Sequence, residues 1–339
     1  MKVLVTGGLG FIGSHTVVEL QQRGYDVIII DDLSNSSITV LDGITTITDK
    51  APIFKKLDLK EKDNVEAFFS KHQDIVGVIH FAASKAVGES VEKPLLYYEN
   101  NINTLIYILK SILNLNSSNF IFSSSCTVYG QADTMPITES APIKPAESPY
   151  GNTKQIGEEI IRDTCKVHPE LKAISLRYFN PIGAHQSANI GELPIGVPQN
   201  LVPFITQTAA GLRKELSVFG NDYPTPDGTC IRDYIHVVDL AKAHVVALER
   251  LLNENNESNY EIFNLGTGKG SSVLEAINSF EKVTGKKLNY TFAPRRPGDV
   301  IQAYADTKKA NEVLGWKAEF TLDDAMLSAW NWEKKVRNL

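Results

Sequence analysis

The sequence predicts an α/β fold: a doubly wound parallel sheet followed by a smaller mixed α/β unit toward the C-terminus. Three observations carry this expectation. Short apolar, β-forming runs alternate with helical stretches through the first half of the chain. A glycine-rich turn directly follows the first run, and polar or acidic residues recur where the runs end. A parallel sheet binds its ligands at those carboxyl ends.

The elements follow in order. Residues 2–6 are an apolar run that reads as a buried strand. Gly7, Gly8, Gly10 and Gly13 come next and satisfy both the G-x-G-x-x-G and the G-x-x-G-x-x-G spacing, with Phe11 and Ile12 between them. Residues 14–23 are amphipathic, and Gly24 lies where that helix should stop. A second apolar run, 27–30, ends at Asp31. Residues 53–57 read as a strand ending at Asp58, and about 62–72 as a polar helix. Residues 76–81 read as another buried strand with Ala82 at its carboxyl end, and Pro94 opens a helix through Leu115. Residues 120–122 then run into three serines ending at Ser125.

Strand, glycine turn, helix, strand and terminal acid make a Rossmann-type dinucleotide-binding unit. Glycines let a pyrophosphate approach the backbone at a helix N-terminus, where free N–H groups and the dipole favour anions. Asp31 is placed to accept from the adenosine ribose hydroxyls and would repel a 2′-phosphate, and Asp32 adds negative charge, so the cofactor read here is NAD rather than NADP.

Beyond about residue 180 prolines and glycines punctuate the chain and the alternation is lost. The expected division is a dinucleotide-binding domain at 1–180, with a strand near 259–265 returning to its sheet, and a substrate domain at 181–339. A length of 339 residues suits two closely packed domains, and 42% hydrophobic with 22% charged residues is an ordinary globular composition. Net charge is −6 without a large basic cluster, which argues against nucleic acid as the main partner. No apolar run approaches the length of a membrane span, and a core strand at the start leaves no room for a signal peptide. Three widely spaced cysteines read as reduced thiols of a cytoplasmic protein, and the seven histidines form no H-x-x-x-H pair, so no metal is expected.

Tyr150 and Lys154 stand four residues apart, on one face of a helix opened by Pro149. Chance alone supplies such a spacing, and Tyr304 with Lys308 repeats it, but only Tyr150 follows the strand-terminal serines. A nearby ammonium and the positive nicotinamide of NAD would draw the phenol pKa down, making Tyr150 a base for an alcohol proton while hydride leaves to the cofactor. Ser125 can orient the same hydroxyl, although a serine at a strand end is often only a cap.

The glycine motif, Ser125 and the Tyr150–Lys154 pair resemble the extended short-chain dehydrogenase/reductase superfamily. Over nearly the whole chain the sequence is further similar to the UDP-hexose 4-epimerases, through residues 31–35, 80–90, 97–101, 123–130, 177–181, 219–228 and 232–236. The resemblance implies reversible epimerisation at C4 of UDP-glucose and UDP-galactose. Transient oxidation by tightly held NAD gives a 4-keto sugar, which turns about its link to the diphosphate before hydride returns. It places Lys85, Asn100 and Phe179 near the cofactor with Asn35, Asp58 and Leu59 toward the adenosine, and Phe81 under the nicotinamide side. Lys85, Ser125, Asn180, Asn200, Leu201, Phe219, Arg232, Arg296 and Asp299 would hold the nucleotide sugar. Forked arginine donors suit a diphosphate. Ala303 matches a position where relatives carry a large Tyr against the sugar C2 substituent, so N-acetylated sugars are expected as substrates too. The helices beginning at Pro94 and Pro149 carry apolar residues on more than one face, and in relatives this pair forms a homodimer interface. Asp32 stands where relatives often have Asn, and Ala83-Ser84 where Gly-Leu is more usual.

Rival readings are a 4,6-dehydratase, a simple nucleotide-sugar reductase, and a catalytically silent NAD-binding protein. The dehydratase needs an acid pair after the serine, where this chain has Cys126 and Thr127. The silent reading sits badly with the retention of Ser125, Tyr150 and Lys154 together.

Overall fold

Strands β1 (Lys2–Thr6), β2 (Asp26–Asp31), β3 (Ile53–Lys56), β4 (Ile75–His80), β5 (Ser118–Ser123) and β6 (Leu171–Tyr178) join the strand Tyr260–Leu265 in one seven-stranded sheet. The computed structural model describes residues 1–296 and 299–339. Every neighbouring pair in this sheet is parallel. The spatial order runs from Tyr260–Leu265 through β6, β5, β4, β1 and β2 to β3. The winding direction therefore reverses between β1 and β4, which opens a crevice at their carboxyl ends.

The strands read as unbroken apolar runs because both faces are covered. Alternate side chains enter different cores: Val3, Val5, Val27 and Ile29 one, Leu4, Ile28 and Ile30 the other. The first core is closed by helix α1 (Phe11–Gln22) and the helix Val237–Leu252, through Val17, Leu20, Leu240 and Leu248. The second is closed by Lys62–Lys71, Pro94–Ile112 and Pro149–Val167, through Phe68, Leu105, Ile108 and Ile161.

A third core lies outside the sheet, where Leu201–Ala209, Val273–Thr284 and Leu322–Arg337 bury Ile205, Phe280, Met326 and Trp330. Short strands frame it. Asn180–Ile182 pairs with Tyr234–His236, Leu216–Phe219 with Tyr290–Ala293, and Ile231–Arg232 with both Ser271–Ser272 and Gln302–Ala303. These strands are too short for a period-2 pattern to show, which is why the sequence left this region undivided. Strand β6, carrying Arg177, also escaped sequence reading. The helix starting at Pro94 ends at Ile112 rather than Leu115, as the chain turns through Leu113 and Asn114.

Candidate functional site

The glycine turn is built by close backbone approach. Gly7 has φ +66°, and a Cβ there would lie 2.8 Å from the Ala82 nitrogen. A Cβ on Gly13 would lie 2.3 Å from the Gly7 carbonyl oxygen. Gly10 forms the N-cap of α1 without any side-chain cap, and the first turn holds no acid, so its N–H groups are open to an anion. Asp31 ends β2 as a brace: Oδ2 accepts from the Leu9 N–H at 3.1 Å, and Oδ1 from the Leu33 N–H and Ser36 hydroxyl at 3.0 and 2.7 Å. Asp32 accepts from the Ser34 N–H and hydroxyl, and Asn35 is exposed just beyond. Asp58, two residues past β3, accepts from the Lys60 N–H, and Leu59 is buried behind it. This cradle fits a dinucleotide: the glycines occupy ground a side chain would fill, and a carboxylate stands where a ribose would end.

On the other side of the crevice, Phe81 packs against the first core and Ala82 lies against Gly7. Asn100 donates to the Ser84 hydroxyl at 3.1 Å. Asn101, to which sequence reasoning gave no role, accepts from the Ser84 N–H and donates to the Ser84 carbonyl and the Thr153 hydroxyl. It therefore ties the loop after β4 to the helix of Tyr150. The Ala83-Ser84 departure from the family pattern is absorbed by these bonds.

Tyr150, Lys154 and Ser125 converge at the carboxyl edge of β5. Ser148 caps the helix, accepting from the Gly151 N–H, and Pro149 starts it, so Tyr150 enters on the first turn and Lys154 one turn later. Lys154 Nζ donates to the Ser123 carbonyl at 2.6 Å and lies 5.9 Å from the centre of the Tyr150 ring. Ser125 caps the short helix Cys126–Tyr129, accepting from the Thr127 N–H, while its hydroxyl also faces the phenol.

Burial, seconded by the Tyr178 phenol, holds the Tyr150 phenol above its ordinary 10.0 against the pull of the Ser125 hydroxyl. The downward pull expected of Lys154 and the nicotinamide together belongs to the cofactor-bound site. Burial also lowers Lys154 to about 8, opposed by the Glu158 carboxylate one helical turn away. Glu158 was missed in the sequence although its i, i+4 spacing from Lys154 could have flagged it. It sits buried on Arg177, which donates from Nε at 2.9 Å and Nη2 at 2.5 Å, and accepts from the Ser124 hydroxyl.

The remaining expected residues lie in separate groups. Asp299 accepts from Arg232 Nη2 at 2.9 Å and from Arg296 Nε at 3.0 Å, and Arg296 lies over the Phe219 ring. Strand register sets Ala303 beside Arg232. The Arg232 guanidinium in turn acts on the Cys126 thiol, next to Ser125, so this cluster borders the Tyr150 site. Burial raises that thiol to about 12, so it stays protonated at neutral pH. Phe179 is buried against Tyr129 and Ile137, and Asn180 follows it, exposed. Asn200 caps Leu201–Ala209 by position only, because its amide donates to Glu192 at 2.6 Å. Lys85 faces the same Glu192 oxygen at 3.8 Å. Among the described residues no cluster of three His, Cys, Asp or Glu could hold a metal ion, and no helix is long and apolar enough to cross a membrane.

Comparisons with known proteins agree with this fold. A family model described as GDP-mannose 4,6 dehydratase matches residues 4–328. A UDP-glucose 4-epimerase of Bacillus subtilis is 49% identical over 338 residues, spanning 100% of this chain and 98% of that one. The UDP-glucose 4-epimerase of Bifidobacterium longum, solved in complex with NAD+ and UDP, superposes with a TM-score of 0.95 at 47% identity, covering 100% of this chain and 99% of that one. That of Stenotrophomonas maltophila, with bound NAD and formylated UDP-arabinopyranose, gives 0.96 at 46% identity, again covering 100% and 99%. The chain thus belongs to the family that the GDP-mannose 4,6 dehydratase model describes and, within it, to the UDP-glucose 4-epimerases.

Proposed function

We propose that Tyr150 is the acid/base, Ser125 the orienting hydroxyl and Lys154 the supporting cation of a C4 epimerisation. The chain is an NAD-dependent enzyme that epimerises UDP-hexoses reversibly at C4, between UDP-glucose and UDP-galactose. The observation that carries the residue assignment is the convergence of phenol, hydroxyl and ammonium beside the glycine cradle. NAD, when bound, supplies the acceptor for the C4 hydride and afterwards its donor, together with a positive charge near Tyr150. Burial keeps the phenol protonated in the ligand-free chain, so ligands must complete the field that turns Tyr150 into a base. Tyr150 then takes the 4-hydroxyl proton and returns it to the opposite configuration.

Residues 1–180 would carry the cofactor, through Gly7, Gly10, Gly13, Asp31, Asp58 and Lys85. Residues 181–339 would carry the nucleotide, through Asn180 at the boundary, Asn200, Leu201, Phe219, Arg232, Arg296 and Asp299. Asp299 holds both arginines poised, and a diphosphate would share them. Ala303, half-buried beside Arg232, leaves room that a Tyr would fill, which supports acceptance of N-acetylated UDP-sugars. Ala303→Tyr should abolish turnover of UDP-GalNAc and spare UDP-galactose; retention of the acetylated activity would overturn that reading.

A homodimer is proposed from two unfilled stripes. Leu95 is exposed and Ile102 and Ile106 half-buried on one helix, and Ile156 is half-buried and Val167 exposed on the next. Three unpaired cysteines suit a reducing, cytoplasmic setting. The deciding assay is purified protein with UDP-galactose and no added NAD. Formation of UDP-glucose supports an enzyme carrying its own cofactor, and an absolute need for added NAD with a keto product would favour a reductase.

A further inference from the structure

Glu192 carries no role in anything described so far, yet one of its oxygens meets two expected binding groups. Its Oε1 accepts from Asn200 Nδ2 at 2.6 Å and stands 3.8 Å from Lys85 Nζ. Lys85 follows β4, on the cofactor side, whereas Asn200 precedes the helix Leu201–Ala209, on the nucleotide side. The carboxylate is only 13% exposed, while Lys85 is half exposed.

The backbone fixes where this carboxylate points. Gly191 bridges to Ala184, and a Cβ on Gly191 would fall 2.4 Å from the Trp332 ring. Trp332 Nε1 also donates to the Glu192 carbonyl at 2.9 Å. Asparagine in the N-cap position ordinarily accepts from its own helix, two or three residues on. Here the helix has no side-chain cap, although Asn200 has the extended backbone of a cap residue. Its amide NH2 is held by Glu192 instead, and because Pro203 at the third helical position has no N–H, the donors left open are those of Leu201 and Val202.

We propose that Glu192 is a positioning residue: it draws Asn200 off its own helix and pins Lys85 across the crevice, keeping that helix N-terminus open to the diphosphate of the nucleotide sugar. The inference rests on the UDP-sugar reading above. An uncapped N-terminus favours an anion, and the Lys85 ammonium offsets the carboxylate that would otherwise repel it. Release of Asn200 would let it cap its own helix and compete with the ligand for the same donors.

The test is calorimetric titration of the purified holoenzyme with UDP, together with kcat and KM for UDP-galactose. Glu192→Ala should weaken UDP binding and raise KM several-fold to about tenfold, as loss of one polar contact implies, with kcat nearly unchanged. Glu192→Gln keeps an acceptor for Asn200 and should stay within about threefold of the parent. In an Asn200→Ala background, Glu192→Ala should cost clearly less than in the parent, keeping only the share that acts through Lys85, which a merely structural Glu192 would not show. Parent-like binding by Glu192→Ala, or a full additive loss in the double variant, overturns the proposal. If the parent itself binds no UDP, the UDP-sugar reading fails and this inference with it. A Glu192→Ala protein that does not fold shifts the decision to Glu192→Gln, whose loss of UDP binding beyond about tenfold would equally overturn it.

Discussion

The two walls of the crevice are made of different materials. On the proposed cofactor wall, recognition would be built from backbone: Gly7, Gly10 and Gly13 clear the space, and the uncapped start of α1 would supply the donors. On the proposed nucleotide wall it would be built from polar side chains that already hold one another, Arg232 and Arg296 on Asp299 and Asn200 on Glu192, with Lys85 reaching Glu192 from the cofactor side. A backbone site is rigid because its geometry is its covalent structure. A side-chain site is poised: its groups are ordered before the ligand comes, and the ligand must share or exchange their partners.

The largest expected effect lies where the walls meet. Tyr150→Phe removes the proposed proton carrier and leaves both walls intact, so kcat should fall by about 10²–10⁴ while UDP still binds. Retention of most of the turnover would remove Tyr150 from the chemistry and with it the seam between the two walls. Next comes a blow to the backbone wall. Gly13→Ala forces a methyl to within 2.3 Å of a carbonyl oxygen in a turn that cannot give. Overpacking of this kind costs about 1–3 kcal/mol and should show as lost NAD content in the purified protein and a lower Tm. Normal NAD content in that variant would mean the cradle is softer than its contacts indicate. The nucleotide wall should break differently. Arg232→Lys keeps the charge but loses the fork, so KM for UDP-galactose should rise about tenfold with NAD content unchanged. A fall in bound NAD instead would show that the two walls are not separable.

The same contrast explains what could be read from the sequence. Gly7 to Gly13 announced themselves because a positive φ or a missing Cβ is written in the residue type, and Asp31 because it ends an apolar run. Tyr150 and Lys154 were legible as one helix turn after a proline. Arg232, Asp299 and Ala303 were nameable only through family resemblance, since their meeting depends on strand pairs two residues long. Glu192 and Asn101 had no pattern at all, because their partners come from distant loops. The burial that raises the Tyr150 phenol is illegible in the sequence for a related reason. Spacing shows that a lysine is near, but burial is a property of the packed site.

The smallest effect is a titration, and it acts with opposite signs on activity and stability. Burial holds Lys154 at about 8, against an ordinary 10.5. Between those values the unfolded chain carries a proton that the folded one has released. Stability of the NAD-free protein should therefore rise with pH across about 8 to 10.5, relative to a Lys154→Met variant that lacks the titration. Activity should move the other way, because the ammonium that supports Tyr150 is lost above about pH 8, giving kcat/KM an alkaline limb. Lys154→Arg, which stays charged, should push that limb to higher pH even as it lowers the rate. If the limb does not move, the cation at this position is not what supports Tyr150. The Lys154 ammonium would then serve the helix and the Ser123 carbonyl alone.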